Sequence, residues 1–525
     1  MALPREAYRM LEDIVGPENV SEDEAITECY AFNATCGAGS AYWTRPAAVI
    51  LPQTVEEVQA IVKVCNRFKI GFKAHSTGWC AWGNVSRDNS ILIDLRRMNR
   101  ILEIDVKNQY AVVEPYVTGG QLQAELMKVG YDCCIVGAGA NASILAGCTS
   151  CWGWGFNSFG YSIHARNLLA MEWVTPTGEI VRTGSLSCGA GWFCGDGPGP
   201  SIRGLVRGQG GPLGGLGIFT KCATKIYHWP GPREIQIDGR APNYVLAKPV
   251  ENMAICTVVF PTWENFVNAL YKIGDAEIAF SVSRYGLFDA VLSATGSAKE
   301  AYELWKTGKF LPERRGPSLI VGVRGDSRAE VEWKLKVLED IAKEESGVIS
   351  GGIADPDIQR RRQFGYIKID RPAVTFRPSQ LGSSMGSQGA HDMVMKQIQI
   401  GAEWKRPYIE KGQLLDDAGD NAYMMDIEGG AFSHVEELFH IDPCDPGSVK
   451  GGIEFIETIT SEVPAKYHFS LPSLGIYFTP QIARKYGEMC YNFHLWQQRI
   501  KQSLDPDNLS DPSHYLLGVT KEGET

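Results

Sequence analysis

No run in this sequence approaches the roughly 18 uninterrupted apolar residues of a membrane-spanning helix. Its opening, MALPREAYRMLEDIV, carries charges where a secretory signal needs an apolar core. No membrane span and a cytoplasmic location are therefore expected. Positive charge is also short, with 51 Lys and Arg against 61 Asp and Glu, a formal net charge of −10. Nucleic-acid binding needs clustered Lys and Arg to neutralise phosphates, so no nucleic-acid partner is expected. The turn KAHSTGWCAWGN at 73–84 lacks the Gly-Lys-Ser/Thr of a Walker loop and the Gly-x-Gly-x-x-Gly of a dinucleotide fold. Internal repeats and low-complexity stretches are absent, which excludes solenoid and linker-like architectures.

What is present suits a globular protein of two or three domains: 525 residues, 44% hydrophobic and 21% charged. Cysteine is plentiful, at fourteen. Cys148 and Cys151 form a C-x-x-C, Cys133 and Cys134 are adjacent, and Cys188 and Cys194 flank a glycine-rich loop. A structural zinc site wants a second matched pair. An iron–sulfur run is also missing. These cysteines read as reduced thiols, and no metal is expected.

Along the chain, Ser21 and Glu24 have the spacing of a capping box ahead of a helix. Apolar residues at 49–51 read as a strand ended by Pro52. Thr54 then caps a helix whose Val55, Val58, Ile61, Val62 and Cys65 share one face. Ile70, Phe72 and Ala74 alternate as the next strand, which feeds the 73–84 turn. Short strands follow at 91–95, 101–105 and 110–114, then a helix from Thr118 or Gly119 through Met127. LLAMEWVTPTGEIVRTG reads as a hairpin turning at Pro176 to Gly178, and 218–226 as a strand. Pro230 and Pro232 mark a boundary. Beyond it, helices such as the one starting at Ser327 alternate with strands such as SLIVGVRG, and the tail helix stops at Asp505-Pro506.

Two glycine-bearing segments stand out. In the 73–84 turn, Gly78 and Gly83 let backbone N–H groups come close to a partner, either a tight structural turn or an anion cradle. Residues 137–160, GAGANASILAGCTSCWGWGFNSFG, carry little charge and suit no regular element. Trp152, Trp154 and Phe156 argue against full solvent exposure, so this run reads as backbone wrapped closely round a ligand.

The order of five blocks resembles the FAD-binding fold of the vanillyl-alcohol oxidase / p-cresol methylhydroxylase family, which includes glycolate and D-lactate dehydrogenase-like members. The blocks are RPAAVILPQTVEEVQAIVKVCNRFKIGFKAHSTG, LIDLRRMNRILEIDVKNQYAVVEPYVTGGQL, MEWVTPTGEIVRTG, GGLGIFTKCATKI and IKQSLDPDNLSDP. The resemblance covers roughly residues 10–230 and 480–512. It implies an α+β protein with a two-subdomain FAD-binding domain and an α+β cap over the isoalloxazine ring. The implied division is an N-terminal helical segment at 1–41, the FAD-binding domain at 42–231, a cap or substrate domain at 232–465, and a C-terminal segment at 466–525 returning to the first domain. It implies FAD held by Ala74, His75, Ser76, Thr77, Gly78, Trp79 and Cys80 in the first loop. Gly139, Ala140, Ser143, Gly147, Trp152, Gly153 and Gly155 would hold it in the second, with Gly217 and Ile218 at the last strand. The sequence departs from the family at Ala146-Gly147, where two adjacent glycines are common.

The implied activity is a dehydrogenase moving a hydride from a small hydroxylated or p-alkylphenol-type substrate to flavin N5. A redox partner protein would take the electrons, within a homo-oligomer or hetero-complex. The alternatives are a 2-hydroxy-acid dehydrogenase of the glycolate or D-lactate type and a flavin-carrying subunit of an electron-transfer complex. The His-x-His pair and metal segment of the glycolate/lactate branch are missing. An ether-lipid-synthase-like transferase would want a histidine-rich C-terminal segment, which the single His468 does not supply. Tyr477 sits where the vanillyl-alcohol branch carries a catalytic tyrosine, but Phe478 follows it instead of arginine. His434, near Glu436, is a candidate proton acceptor or a packed structural histidine, and His440 competes with it. Arg166 stays protonated, so it is a candidate carboxylate binder or an ion-pair residue and no base. Covalent flavin attachment stays open, with His75 near the loop.

Overall fold

The computed structural model describes residues 3–31, 44–78, 83–137, 139–150, 153–185, 189, 191–192, 199–206, 211–240, 243–308, 317–350, 352–367, 380–383, 387–420, 422–467 and 492–511. The chain builds three main sheets, and their junctions create the site. The first has four strands in the order Val20–Ser21, Val49–Ile50, Ser90–Asp94, Gly71–His75. Its last three strands run parallel, with Ile50 opposite Ile93 and His75 opposite Asp94. The helix Val55–Phe68 connects two of them. Thr54 caps it by accepting from the Glu57 amide, and Lys69 ends it in the left-handed region. Its Val58, Ile61, Val62 and Cys65 are buried beside Ala7 and Leu11 of the helix Arg5–Val15.

The second sheet is antiparallel, in the order Ile101–Asp105, Tyr110–Val113, Ile218–Lys225, Leu168–Val174, Ile180–Arg182. The third has eight strands. Met253–Val259, Ser318–Arg324, Ser281–Arg284, Ala422–Ile427 and Phe432–Ile441 are consecutive neighbours in its middle. Helices Trp263–Ala276, Arg328–Glu344 and His391–Glu410 cover it, and Phe266, Leu270, Leu335, Leu338, Val394 and Ile398 join its strands in one apolar cluster. Ser327 caps the helix Arg328–Glu344, as its spacing predicts.

Two links hold the parts together. The C-terminal segment after the helix Phe493–Leu504 runs beside the strand Gly71–His75: Phe72 N–H donates to Leu509 O at 2.9 Å, and Asp511 N–H to Phe72 O at 2.8 Å. Arg324 of the third sheet donates to Asp132 at 2.8 Å, and Tyr161 donates to the other oxygen of that carboxylate at 2.6 Å. No described helix is long and apolar enough to cross a membrane.

Two local expectations are corrected. Ser21 is not the cap of the helix Glu24–Ala31; its hydroxyl takes the Asp23 amide, and the Asp23 carboxylate takes the Ala25 amide at 2.8 Å. The capping box of the structure is Thr118 with Gln121. The run 137–160 does hold regular elements, the short helices Ile144–Thr149 and Ser158–Tyr161. Burial of Ile144, Leu145 and Cys148 and the cap at Ser143 outweigh the helix-breaking glycines.

Candidate functional site

The parallel strand Gly71–His75 ends in Ser76, Thr77 and Gly78. Gly78 adopts φ +68°, and a Cβ there would lie 2.9 Å from His75 Nε2, so only glycine suits this bend. Thr77 Oγ1 accepts from the Ser143 amide at 3.1 Å, which ties this loop to the second glycine segment. Ser143 in turn donates to Pro115 O at 2.6 Å and accepts from the Ala146 amide at 3.0 Å. His75 is enclosed: Nδ1 faces Gly83 O at 3.5 Å and Tyr30 meets the ring edge-on at 5.5 Å. Burial lowers its pKa, against the pull of the Asp94 carboxylate, so the ring is neutral at pH 7.

Between the two segments lies a cleft of about 120 Å³. One wall is residues 73–78, the opposite wall runs from Ala142 to Ser150, and Leu213, Gly214 and Phe219 close one side. No carboxylate is among the described lining residues, so an anion meets no fixed negative charge at the wall. Ala74, His75, Ser76, Thr77, Gly78, Ser143 and Gly147 all line it.

The other proposed cofactor residues lie elsewhere or serve the protein's own packing. Gly153 and Gly155 are not among the described lining residues. A Cβ on Gly153 would stand 2.6 Å from the buried His164, and one on Gly155 would stand 2.2 Å from Ile135 O. Gly147 serves both ends, since a Cβ on it would meet His164 Nδ1 at 2.8 Å. The amide of Gly139 donates to Val136 O, and Ala140 O accepts from Gly120 at 2.7 Å. Gly217 donates to Ser510 Oγ at 2.8 Å, and Ile218 begins a buried strand. Trp79, Cys80, Trp152, His468 and Tyr477 lie outside the described residues.

On the third-sheet side, His434 is fully buried and stacks on Trp154 with ring centres 4.0 Å apart. Its Nε2 donates to the Glu436 carboxylate at 2.9 Å. That bond fixes the tautomer and leaves Nδ1 a lone pair, which has no partner among the described residues. Trp154 belongs to the 137–160 run, so His434 carries the third sheet against that glycine-rich segment. His440, on the same strand, packs instead against Phe288 at 5.4 Å. Arg166 does bind a carboxylate, but it is the chain's own Glu428, and its guanidinium lies over Phe432.

Tyr285, Tyr366 and Tyr423 surround Phe156 of the glycine run with ring centres between 5.3 and 6.1 Å away. Nothing in the spacing of these residues signals the cluster, because each tyrosine comes from a different element. Lys73, buried in the cleft wall, gives no sign in sequence beyond its place in an apolar strand. Among the described residues, no group of three His, Cys, Asp or Glu is placed to hold a metal. The described cysteines are free thiols, buried except for Cys29 and Cys444.

Residues 46–184 match the family model of the FAD binding domain. An uncharacterized FAD-linked oxidoreductase of Mycobacterium tuberculosis is 32% identical over 174 residues, 33% of this chain and 37% of that protein. The match thus spans little more than a third of that relative's length. A probable mitochondrial D-lactate dehydrogenase of Danio rerio is 23% identical over 96% of this chain and 90% of its own. The crystal structure of p-cresol methylhydroxylase with substrate bound superposes with a TM-score of 0.74 at 17% identity, covering 98% of this chain and 97% of the other. The cleft suits the cofactor this domain binds. Its wall carries no described carboxylate and sets the backbone of residues 74–78 against that of the second glycine-bearing segment.

Proposed function

We propose that the chain, whose residues 46–184 match the FAD binding domain, is an FAD-linked dehydrogenase of small hydroxylated or p-alkylphenol-type molecules. When bound, FAD supplies the acceptor for a hydride and, after it, for electron transfer onward. The observation that carries the reading is the cleft between residues 73–78 and 142–150, whose described lining holds no carboxylate, with His434 facing the same glycine-rich segment from the third sheet.

The chain's own residues divide the work. Backbone amides around Ser76 to Gly78 hold the diphosphate, which lets an acidic protein bind an anion. His434 is the base: its Nδ1 lone pair takes the hydroxyl proton of the substrate as a hydride leaves the carbinol carbon of an alcohol, giving a carbonyl, or the benzylic carbon of a p-alkylphenol, giving a quinone methide. Glu436 holds the ring in that tautomer and stabilises the cation that forms. Tyr285, Tyr366 and Tyr423 favour a flat, aromatic substrate over a small hydroxy acid. The ion pair of Arg166 with Glu428 further disfavours the acid. Electrons pass to a protein acceptor, because the sequence holds no second nucleotide motif. A cytoplasmic location and an oligomeric or hetero-complexed state belong to the same proposal.

The test is anaerobic bleaching of the bound flavin by a panel of p-alkylphenols, aromatic alcohols and 2-hydroxy acids. Phenolic or benzylic substrates are expected to bleach it, and His434→Gln to slow the bleaching by about a hundredfold or more with FAD content unchanged. Bleaching by hydroxy acids alone would overturn the substrate class. Wild-type rates in His434→Gln would overturn the role of the histidine.

A further inference from the structure

One cluster of reactive side chains lies behind the cleft wall and takes no part in the chemistry proposed above. Cys148 belongs to the helix Ile144–Thr149, and Cys222 and Thr224 to the strand Ile218–Lys225 that packs against it. The sulfurs of Cys148 and Cys222 share a hydrogen bond, and Cys148 Sγ lies 3.6 Å from Thr224 Oγ1. The third member is His164, whose ring faces the sulfurs of Cys134 and Cys148. Its Nε2 has no oxygen or nitrogen acceptor among the described residues. Cys134 is engaged elsewhere, since its Sγ donates to Ser162 O at 3.4 Å.

Two glycines make room for this imidazole. A Cβ on Gly147 would stand 2.8 Å from His164 Nδ1, and one on Gly153 would stand 2.6 Å from the His164 Cβ. Cys148 and Cys222 are fully buried, and His164 is 1% exposed. Burial in apolar surroundings makes a thiol inert, and it raises the pKa values of Cys65, Cys133 and Cys256. Cys148 goes the other way. The hydrogen bond with Cys222 favours its thiolate against burial, and His164 and Thr224 add to that. Burial works against charge on His164, but the sulfurs beside it hold the imidazolium. Cys222 keeps its proton through the same hydrogen bond and its own burial. A thiolate, a thiol and an imidazolium thus stand together, the set that thiol oxidation uses. Gly147, which has no space for a methyl beside His164, is itself a cleft residue, as are Ala146 and Ser150. The cluster therefore lies directly behind that wall, and an oxidant reaching it must be of nearly the size of water.

We propose that Cys148 and Cys222 are a redox-active pair that peroxide converts to a disulfide, with His164 as proton donor, and that this bond shifts the helix Ile144–Thr149 and weakens cofactor binding. The Cys148 thiolate attacks one peroxide oxygen, the O–O bond breaks, and the hydroxide released takes the His164 proton and leaves as water. The Cys222 sulfur then displaces hydroxide from the Cys148 sulfenic acid, and the Cys222 proton passes through His164 to that hydroxide. The two sulfurs lose two electrons, the peroxide gains them, and two waters leave. Disulfide sulfurs lie about 2 Å apart, inside hydrogen-bond distance, so the helix is drawn toward the strand. Ser143, which caps that helix and donates its amide to Thr77, carries the movement to the 73–78 wall. Only the consequence for the cofactor rests on the FAD-binding reading above.

The test treats the reduced full chain with hydrogen peroxide, alkylates the remaining thiols and maps the peptides by mass. A Cys148–Cys222 cross-link reversed by dithiothreitol is expected, and the oxidised protein is expected to bind FAD severalfold more weakly. Cys222→Ser is expected to stop at a sulfenic acid on Cys148, trapped by dimedone. His164→Gln is expected to slow the oxidation by about tenfold or more. Oxidation of the exposed Cys29 and Cys444 without that cross-link overturns the inference. Stoichiometric zinc that protects the pair from peroxide overturns it too. Wild-type oxidation rates in His164→Gln overturn the role of the histidine; if that variant does not fold, a Cys222→Ser protein without trapped sulfenic acid overturns the inference alone. A cross-link with unchanged FAD affinity overturns the coupling to the cleft. Reduced protein that takes up no FAD fails at the earlier step, the FAD-binding reading, while the cross-link still decides the chemistry of the pair.

Discussion

Single atoms decide much of this site. Gly78 has φ +68°, and the position of its missing Cβ is 2.9 Å from His75 Nε2. Gly78→Ala therefore strains the backbone and pushes the imidazole, at a cost of about 1–3 kcal/mol. The strain falls on the loop that meets the cofactor, so FAD affinity is expected to drop by about tenfold or more while the melting temperature of the apoprotein moves little. Titration of apoprotein with FAD checks this; an unchanged Kd would mean the loop does not touch the cofactor. Gly147→Ala acts differently. The new methyl would meet the buried His164 at 2.8 Å, so overpacking of about 1–3 kcal/mol is expected to appear as lost stability as well as lost binding. Thermal unfolding of the apoprotein separates the two cases.

Among the elements, the hairpin of Ala422–Ile427 and Phe432–Ile441 carries the third sheet onto the glycine-rich segment. Its turn donates from Glu428 N–H to Ser158 O at 3.1 Å and from Gly429 N–H to Phe159 O at 2.8 Å. Behind that turn lie Asp426, His391 and Ser433, all buried. His391 Nδ1 lies 2.7 Å from Ser433 Oγ, and Nε2 meets Gly430 O at 3.1 Å. Asp392 and Tyr271 flank His391. Burial pushes the Asp426 carboxyl up to about 8, against hydrogen bonds from Ser433 and the Ile427 amide. The folded state then holds a proton that the unfolded chain, with an ordinary carboxyl near 4, has lost. Between about pH 4 and pH 8 the folded state binds more protons, so stability falls as pH rises, by up to about 1.4 kcal/mol per pH unit. Asp426→Asn removes this fall, and denaturant unfolding across that range is expected to give a flatter profile than the wild type. A second element-level test concerns the clamp of Arg324 on Asp132 and Tyr161. Arg324→Met leaves a buried carboxylate unpaired and is expected to destabilise the protein by about 3–5 kcal/mol. Urea unfolding measures it, and a loss below 1 kcal/mol would show that the clamp is not a stability element.

Over the whole molecule, what was legible in sequence followed from local physics. The strand–helix–strand unit leading to Gly78 was readable from apolar spacing and the Thr54 cap, because each feature is decided within a few residues. The hairpin turning at Pro176 to Gly178 was readable for the same reason. The cap at Asp23 was not, since Ser21 and Asp23 both fit the local pattern and only the final geometry chooses between them. The glycine run hid two helices because tertiary burial there overrides propensity. Lys73, Ser510 and the tyrosines around Phe156 were illegible because they meet their partners across about 130 to more than 400 residues of chain, through sheet pairing that spacing does not encode. The partner we propose for these distant parts is a cofactor held by main-chain amides. The most direct measurement is the FAD stoichiometry and visible absorbance of the purified, reconstituted protein. One FAD per folded chain with a flavin spectrum is predicted, and a chain folded by circular dichroism that stays colourless in excess FAD would contradict the account.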